Sequence, residues 1–261
     1  MTKNVNVYGN APYSVVVVHG GPGAPGGMAP VARELSSTCG TLEPLQTAMS
    51  VEGQIRELHE LLQEYGSTPV TLIGHSWGVW LSYFVAARYP QSVKKLILVG
   101  SGPFEEKYVS RIVETRMGRL SAKERTRFHE IMKALDDPDN RDKTLLFELG
   151  DLISRTDHSD PMPSTDERVE VQQNIFQSVW QEAKELRKSG ELLEIGRSIE
   201  CPVIALHGDH DPHPFEGVEK PLSHTLMDFR FVLLERCGHE PWIEKHASNR
   251  FYRIVKRELM E

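Results

Sequence analysis

Five short, mainly apolar runs restrict most strongly how this 261-residue chain can fold. The runs are Val15-Val16-Val17-Val18, Val70-Thr71-Leu72-Ile73, Leu96-Ile97-Leu98-Val99, Val203-Ile204-Ala205-Leu206 and Phe231-Val232-Leu233-Leu234. Runs of this length and composition predict strands that are buried on both faces, as in a parallel sheet. Helical patterns occur between them, at 51–65 and 77–89. This alternation predicts an α/β protein with a mostly parallel, doubly wound sheet and right-handed crossovers.

The alternation stops between residues 104 and 200. These 97 residues show only helical periods, and 38% of them are charged, compared with 18% of the rest of the chain. We therefore expect three parts: the first part of the core in 1–103, a helical cap over the carboxyl edge of the sheet in 104–200, and the second part of the core in 201–261. The last cap helix is predicted over Val171–Glu194, with inward-facing Ile175, Val179, Ala183 and Leu186.

Composition excludes several classes of protein. A net charge of -7 disfavours binding to a nucleic-acid backbone. No apolar run approaches the roughly 18 residues that cross a bilayer, and the polar first twelve residues do not resemble a secretory signal. The 3 scattered cysteines argue against a disulfide framework and favour a reducing cytoplasm. We expect a cytoplasmic protein that binds neither nucleic acid nor membrane; its oligomeric state stays open.

The pentapeptide Gly74-His75-Ser76-Trp77-Gly78 lies where a predicted strand ends and a helix begins. A serine at such a turn adopts a strained backbone conformation, and the flanking glycines allow close packing around it. Its hydroxyl then projects above the sheet, beside the positive end of the following helix. Ser76 is therefore the candidate nucleophile.

A serine hydroxyl needs a neighbouring base to act as a nucleophile near neutral pH. His239 follows the last predicted strand and is the candidate base. A carboxylate that orients it is expected after the preceding strand, where Asp209 and Asp211 both lie. The five residues His207, Asp209, His210, Asp211 and His213 also resemble a set of metal ligands. An orienting acid explains the segment without an ion, so we expect no metal and no cofactor.

With these motifs the chain resembles the α/β-hydrolase family with a helical cap over nearly its whole length. In that family a Gly, two variable residues and then the acid form a common pattern, so the resemblance nominates Asp211, with Asp209 as the alternative. Ser76, Asp211 and His239 then follow the chain order of the family's catalytic triad.

The segment His19-Gly20-Gly21-Pro22-Gly23 follows the first predicted strand. Tetrahedral intermediates need amide donors aimed at the developing oxyanion. We expect these donors to be the backbone N–H groups of Trp77 and Gly21. His19 and His75 are interpreted as structural residues that brace their loops.

This glycine-rich loop is similar to that of proline iminopeptidases, which remove N-terminal residues and in which cap carboxylates bind the substrate amine. The resemblance makes Glu148, Asp151 and Glu170 candidate amine anchors. The chain departs from those enzymes at residues 42–47, where Leu-Glu-Pro-Leu-Gln-Thr replaces their Asp-Gln-Arg-Gly segment.

The sequence thus predicts a serine hydrolase that cleaves a small-molecule ester or amide through an acyl-enzyme. The alternatives are an aminopeptidase like the proline iminopeptidases, a receptor-like binding protein, and an acyltransferase or C–C bond-cleaving enzyme. Aromatic residues expected to line the substrate pocket are Phe104, Trp180, Phe215 and Trp242, near Trp77.

Overall fold

The computed structural model describes residues 4–135, 144–163 and 172–261. In this part of the chain, seven strands form a single sheet in the order β1-β3-β2-β4-β5-β6-β7, in which β1 is antiparallel to β3 and the other pairs are parallel. The strands are β1 (Val5–Tyr8), β2 (Tyr13–Val18), β3 (Gly40–Pro44), β4 (Val70–His75), β5 (Val93–Val99), β6 (Val203–Gly208) and β7 (Phe229–Leu234). The five predicted strands are present, and the predicted doubly wound α/β architecture is confirmed.

The helices are α1 (Ala29–Leu35), α2 (Val51–Tyr65), α3 (Trp77–Arg88), α4 (Val109–Arg119), α5 (Ala122–Leu135), α6 (Thr144–Asp157), α7 (Gln173–Ser189), α8 (Glu191–Glu194), α9 (Glu216–Thr225) and α10 (Ser248–Met260). Ser50 caps the N-terminus of α2, because its side chain accepts a hydrogen bond from the Gly53 N–H at 3.0 Å. None of the helices in the described ranges is long and apolar enough to cross a membrane.

Successive residues of the central strands face opposite sides of the sheet and build two cores. Val16, Leu72 and Leu98 lie in the core that also contains residues of α2 and α3. Their neighbours Val17, Ile73 and Val99 lie in the core on the other face, with residues of α1 and α10. Burial on both faces explains why these strands are apolar throughout instead of alternating with polar residues.

Helices α4 to α8 connect β5 to β6, and residues 104–200 are called the helical segment below. Its helices α4 to α6 have a small hydrophobic cluster of their own, formed by Leu120, Ile131, Leu145 and Leu152. The helix predicted over 171–194 is divided in the structure into α7 and α8, and α8 ends at the predicted Glu194. Residue 171 lies outside the described residues, α7 begins at Gln173, and the chain turns at Gly190, where φ is 85°.

Candidate active site

Ser76 lies at the sharp turn between β4 and α3. Its φ of 52° and ψ of -116° are a strained combination for a residue with a side chain, of the kind that clusters at functional sites. A Cβ on Gly74 would lie 2.3 Å from the Gly78 carbonyl oxygen, and one on Gly78 would lie 2.1 Å from that of Val18. Both positions therefore require glycine, because α3 packs directly against β4 and the end of β2.

His239 and Asp211 lie on the loops that follow β7 and β6. The His239 Nδ1–H donates a hydrogen bond to Asp211 Oδ2 at 2.8 Å, and the Asp211 side chain is fully buried. Asp209 faces elsewhere, since its Oδ1 accepts from the backbone N–H of Cys237 at 3.1 Å. Of the two aspartates considered from the sequence, Asp211 is the one that contacts the imidazole.

The charges of Asp211 and His239 support each other. Burial opposes ionisation of Asp211, but the neighbouring His239, His213 and His207 hold the pKa of its carboxyl well below the usual range. Burial likewise opposes protonation of His239, yet the Asp211 carboxylate, followed by Asp157 and Glu240, raises the pKa of His239. The imidazole is therefore more basic than an isolated histidine, as a general base requires.

His75, next to Ser76, links the serine turn to the histidine loop. Its Nε2 lies 3.1 Å from the His239 carbonyl oxygen, and the two imidazole rings are 4.7 Å apart. Burial lowers the pKa of His75 to about 3. The ring is therefore neutral, its Nε2 carries the proton, and it holds the backbone of His239.

The Ser76 hydroxyl is partly exposed and makes no hydrogen bond to any residue in the described ranges. The hydrogen bond expected between Ser76 and His239 is thus absent from this conformation. Catalytic hydrogen bonds are often long or misaligned in the free enzyme and tighten when substrate binds.

The loop after β2 passes close to Ser76. A Cβ on Gly20 would lie 3.0 Å from the Ser76 Cβ and 2.9 Å from His75 Nδ1. Gly21 has a φ of 44°, which favours glycine. Neither the Gly21 N–H nor the Trp77 N–H donates a hydrogen bond to a described residue, so both predicted oxyanion donors are unoccupied by protein acceptors.

Glu43 and Gln46 lie in the 42–47 segment that departs from the proline iminopeptidase pattern, and their side chains support the loop after β2. The buried Glu43 carboxylate accepts the Met28 N–H at 3.0 Å and the Tyr8 hydroxyl at 2.9 Å, and burial raises its pKa. The Gln46 side chain donates to the His19 carbonyl oxygen at 3.0 Å. Burial lowers the pKa of His19 to about 4, so this histidine is neutral.

The aromatic residues predicted to line a pocket occupy different environments. Phe104 is fully buried, with its ring 5.0 Å from that of Tyr83. Trp242 is also buried and packs edge-on against His75, 4.7 Å between ring centres. Trp180, on α7, is partly buried and stacks on Trp80 at 5.7 Å. Phe215 is partly buried against Phe231.

The end of α6 is attached to the loop that carries His239. The Asp157 carbonyl oxygen accepts the His239 N–H at 2.8 Å. The fully buried Glu244 carboxylate accepts the N–H groups of Ser159, Asp160 and Gly238, at 2.8, 2.8 and 2.9 Å. Sequence reasoning missed Asp157 and Glu244, since no local motif marks a contact between residues about 80 positions apart.

Asp157 also brings an ion pair close to the candidate base. Its carboxylate accepts Arg116 Nε at 2.9 Å and a second Arg116 nitrogen at 2.5 Å. Burial opposes ionisation, but the Arg116 guanidinium lowers the pKa of Asp157. A negative charge from the helical segment therefore helps to raise the pKa of His239.

Two of the three candidate amine anchors lie at the surface of α6. Glu148 is exposed and pairs with Arg127 at 2.6 Å. Asp151 is exposed on α6, and Glu170 lies outside the described residues. The structure therefore offers no support for amine binding by Glu148 or Asp151.

One group in the described ranges has the donor atoms of a metal site. Asp211, His213 and His239 offer nitrogen and oxygen atoms within 4.8 Å of one another. Each imidazole Nδ1 is within hydrogen-bond distance of an Asp211 oxygen, at 2.7 and 2.8 Å. An ion there would have to displace both shared protons, so we interpret the group as a hydrogen-bonded carboxylate.

A serine on the turn after a central strand, with a histidine and a buried aspartate on later loops of the same sheet, is the arrangement of the α/β-hydrolase class. A family model described as alpha/beta hydrolase fold matches residues 35–245. The chain belongs to this family. The match begins after residues 19–23, so it does not include the loop that resembles those of the proline iminopeptidases.

Solved structures show the same fold at low sequence identity. VinJ has a TM-score of 0.73 and 19% identity, covering 98% of this chain and 94% of its own. Proline iminopeptidase from Mycobacterium smegmatis has a TM-score of 0.69 and 18% identity, covering 98% and 93%. The enol-lactonase from Burkholderia xenovorans LB400 has a TM-score of 0.63 and 17% identity, covering 98% and 96%. No curated protein matches the sequence.

Proposed function

We propose that this protein is a serine hydrolase that cleaves a small carboxylic ester or amide through an acyl-enzyme. The observation that carries the proposal is the 2.8 Å hydrogen bond from His239 to the buried Asp211 carboxylate, on loops adjoining the strained turn at Ser76. A binding protein would not need a histidine whose pKa is raised by a dedicated carboxylate.

In the proposed reaction, Ser76 Oγ bonds to the substrate carbonyl carbon while His239 Nε2 takes the hydroxyl proton. The carbonyl electron pair moves to the oxygen, which the N–H groups of Gly21 and Trp77 stabilise. His239 then donates the proton to the departing alkoxide or amine. In the second half of the reaction, water attacks the acyl carbon while His239 Nε2 takes its proton, and His239 then donates that proton to Ser76 Oγ as the acid leaves. Asp211 fixes the imidazole tautomer throughout.

We further propose that the helical segment acts as a cap. Two contacts support this role, because both lie beside the loops of the site. The Gln172 N–H donates to the Gly23 carbonyl oxygen at 2.8 Å, and the His239 N–H donates to the Asp157 carbonyl oxygen. The helical segment therefore contacts both the glycine-rich loop at 19–23 and the loop after β7 that carries His239.

An aminopeptidase is the second candidate because the glycine-rich loop at 19–23 of this chain resembles that of proline iminopeptidases. The structural neighbours include a proline iminopeptidase, and also an enol-lactonase and a thermophilic esterase, whose names denote ester chemistry. Glu148 is paired at the surface, so its position does not favour amine recognition. We therefore place ester hydrolysis first.

The test is a paired screen of wild type, Ser76→Ala and the control Ser82→Ala. Ser82 lies in α3, the helix that begins directly after Ser76, and its buried hydroxyl has no hydrogen-bond partner among the described residues. The substrates are p-nitrophenyl esters of increasing acyl length and prolyl and alanyl aryl-amides. We expect ester turnover that Ser82→Ala retains and Ser76→Ala loses by roughly 10⁵-fold or more.

The other outcomes separate the alternatives. Amide turnover that depends on Ser76 would make the protein an aminopeptidase. Acyl products transferred to an alcohol, without free acid, would make it an acyltransferase. Absence of turnover by folded wild type on all of these substrates would overturn the proposal and favour a receptor-like or C–C bond-cleaving member of the family.

A further inference from the structure

The Asp211 carboxylate serves two imidazoles instead of one. Its Oδ2 accepts His239 Nδ1–H at 2.8 Å. Its Oδ1 accepts both the backbone N–H of His213 at 2.9 Å and the ring Nδ1–H of His213 at 2.7 Å. The rings of His213 and His239 lie 4.6 Å apart, and each meets a different oxygen of the same carboxylate.

We propose that His213 is a positioning residue for the catalytic acid: its two hydrogen bonds hold Asp211 so that Oδ2 faces His239, and they divide the carboxylate between two imidazoles. This inference rests on the proposed function, because it assigns a role within the same triad. His213 does not touch the substrate in this proposal and acts through Asp211.

The ring of His213 does more than the turn itself requires. An aspartate that accepts the N–H two residues later is a common turn, and any residue except proline can supply that N–H. The additional donor is the imidazole, and the ring is only 14% exposed. A side chain without a donor would leave one lone pair of a fully buried carboxylate unpaired, which is unfavourable.

The protonation state of His213 is compatible with this role. Burial is the main reason that its pKa lies below the ordinary value, so the ring is neutral at neutral pH. Because Asp211 can only accept, the proton of this neutral ring is on Nδ1. The backbone of His213 is fixed in turn by His207, whose Nε2 lies 2.8 Å from the His213 carbonyl oxygen.

The consequence for His239 follows from the charges around it. Asp211 from the β6 loop, Asp157 from α6 and Glu240 from its own loop favour its protonated form. His75, His207 and His213 interact unfavourably with it when both partners are charged, and Arg116 faces His213 and Asp157. Without the His213 ring donor, His239 has a larger share of the Asp211 charge, beside the longer contact from His207 Nε2 at 3.6 Å, so the pKa of His239 should rise.

The experiment compares His213→Leu, which lacks a donor, with His213→Asn, whose side-chain amide can donate from nearly the same place as Nδ1. The direct readout is an NMR titration of His239 in protein labelled with ¹³C at histidine Cε1, assigned with His239→Gln. We expect His213→Leu to move the His239 pKa upward by roughly half a unit or more, and His213→Asn to stay close to wild type.

Kinetics supply the second readout. In His213→Leu we expect kcat to fall about tenfold with KM nearly unchanged, and the acidic limb of kcat/KM to move to higher pH. His213→Asn should recover most of both changes. A His239 titration and pH profile identical to wild type in a folded His213→Leu would overturn the proposal, even if its Tm fell.

The titration also separates this proposal from the proposed function. If no substrate is turned over, the NMR comparison still measures whether His213 controls the Asp211–His239 pair. If purified wild type contained one equivalent of metal that His213→Leu lost, the shared-carboxylate interpretation would be wrong and a metal site would replace it.

Discussion

The turn that carries Ser76 and helices α4 to α6 of the helical segment are held by different contacts. Around Ser76, backbone atoms pack so closely that a Cβ at Gly78 would lie 2.1 Å from a carbonyl oxygen. In the helical segment, a Cβ at Gly118 or Gly150 would meet nothing within 4 Å. Close packing fixes the serine turn, whereas polar contacts attach the end of α6 to the loop that carries His239. Helices α7 and α8 differ from α6, because Ile175, Val179, Ala183 and Leu192 pack into the main core.

Those polar contacts place charge next to the candidate base. Asp157 holds the backbone N–H of His239 and carries a carboxylate paired with Arg116. His158 contacts Glu240, the residue after His239. Packing therefore determines where the candidate nucleophile Ser76 lies, and Asp157 of the helical segment helps to raise the pKa of the candidate base His239.

The largest effect should come from adding a methyl group at the sheet edge. We expect Gly78→Ala to destabilise the protein by about 3 kcal/mol or more, because the new Cβ would collide with the rigid backbone at Val18 and His19. Urea denaturation followed by circular dichroism measures this change in the free energy of unfolding.

Gly150→Ala in α6 is the matched control. The position is exposed and helical, with open space for a Cβ, so alanine should stabilise the protein by about 0.5–1 kcal/mol through its helix propensity. Equal changes in the free energy of unfolding of the two variants would contradict the contrast between the close-packed turn at Ser76 and the open surface of α6.

Sequence patterns predicted those parts of the molecule in which local chemistry decides the structure. The central strands were recognisable because burial on both faces demands apolar residues at every position. The turn at Ser76 was recognisable because it demands glycines at 74 and 78. Strands β1 and β3 were missed: β3 contains Glu43 and Pro44, and Glu43 is buried because Tyr8 and Met28 donate to it.

The contacts around Asp211 and His239 were harder to predict for a different reason. Asp157 and His239 are 82 positions apart, and their contact depends on how the end of α6 packs against the loop after β7. His213 was noted only as a potential metal ligand, since spacing alone does not distinguish two donors on one carboxylate from ligands of an ion. Gly190 was overlooked as a helix stop, although glycine in the left-handed region commonly ends helices.

A smaller effect should follow from removing the charge of the helical segment near His239. In Asp157→Asn the carboxylate that favours protonated His239 is lost. The pKa of His239 should therefore fall, and the acidic limb of the kcat/KM profile should move to lower pH by roughly half a unit. A pH–rate profile on the best ester from the screen measures this shift.

Asp160→Asn is the control for that variant, because Asp160 lies three residues further along and pairs with Lys245 at the surface. Its profile should coincide with wild type. No shift, or a shift toward higher pH, in Asp157→Asn would contradict the assigned role of Asp157, because loss of its carboxylate and the unpaired Arg116 guanidinium should both lower the pKa of His239.

The smallest expected effect concerns the contact between His158 and Glu240. Burial opposes protonation of His158, but the hydrogen bond and charge of Glu240 outweigh it and raise the pKa of His158. A histidine whose pKa is higher in the folded state contributes stability that is fully present below its unfolded pKa of about 6.5 and is lost as pH rises through the folded pKa.

His158→Gln should therefore lower Tm more at pH 6 than at pH 8.5. The difference should be about 1–3 °C, since a pair of this kind contributes roughly 0.5–1 kcal/mol. The comparison uses His224→Gln, an exposed histidine on α9, whose Tm difference from wild type should be the same at both pH values. If His158→Gln behaved like that control, the helical segment would be attached to the loop that carries His239 by the Glu244 and Asp157 contacts alone.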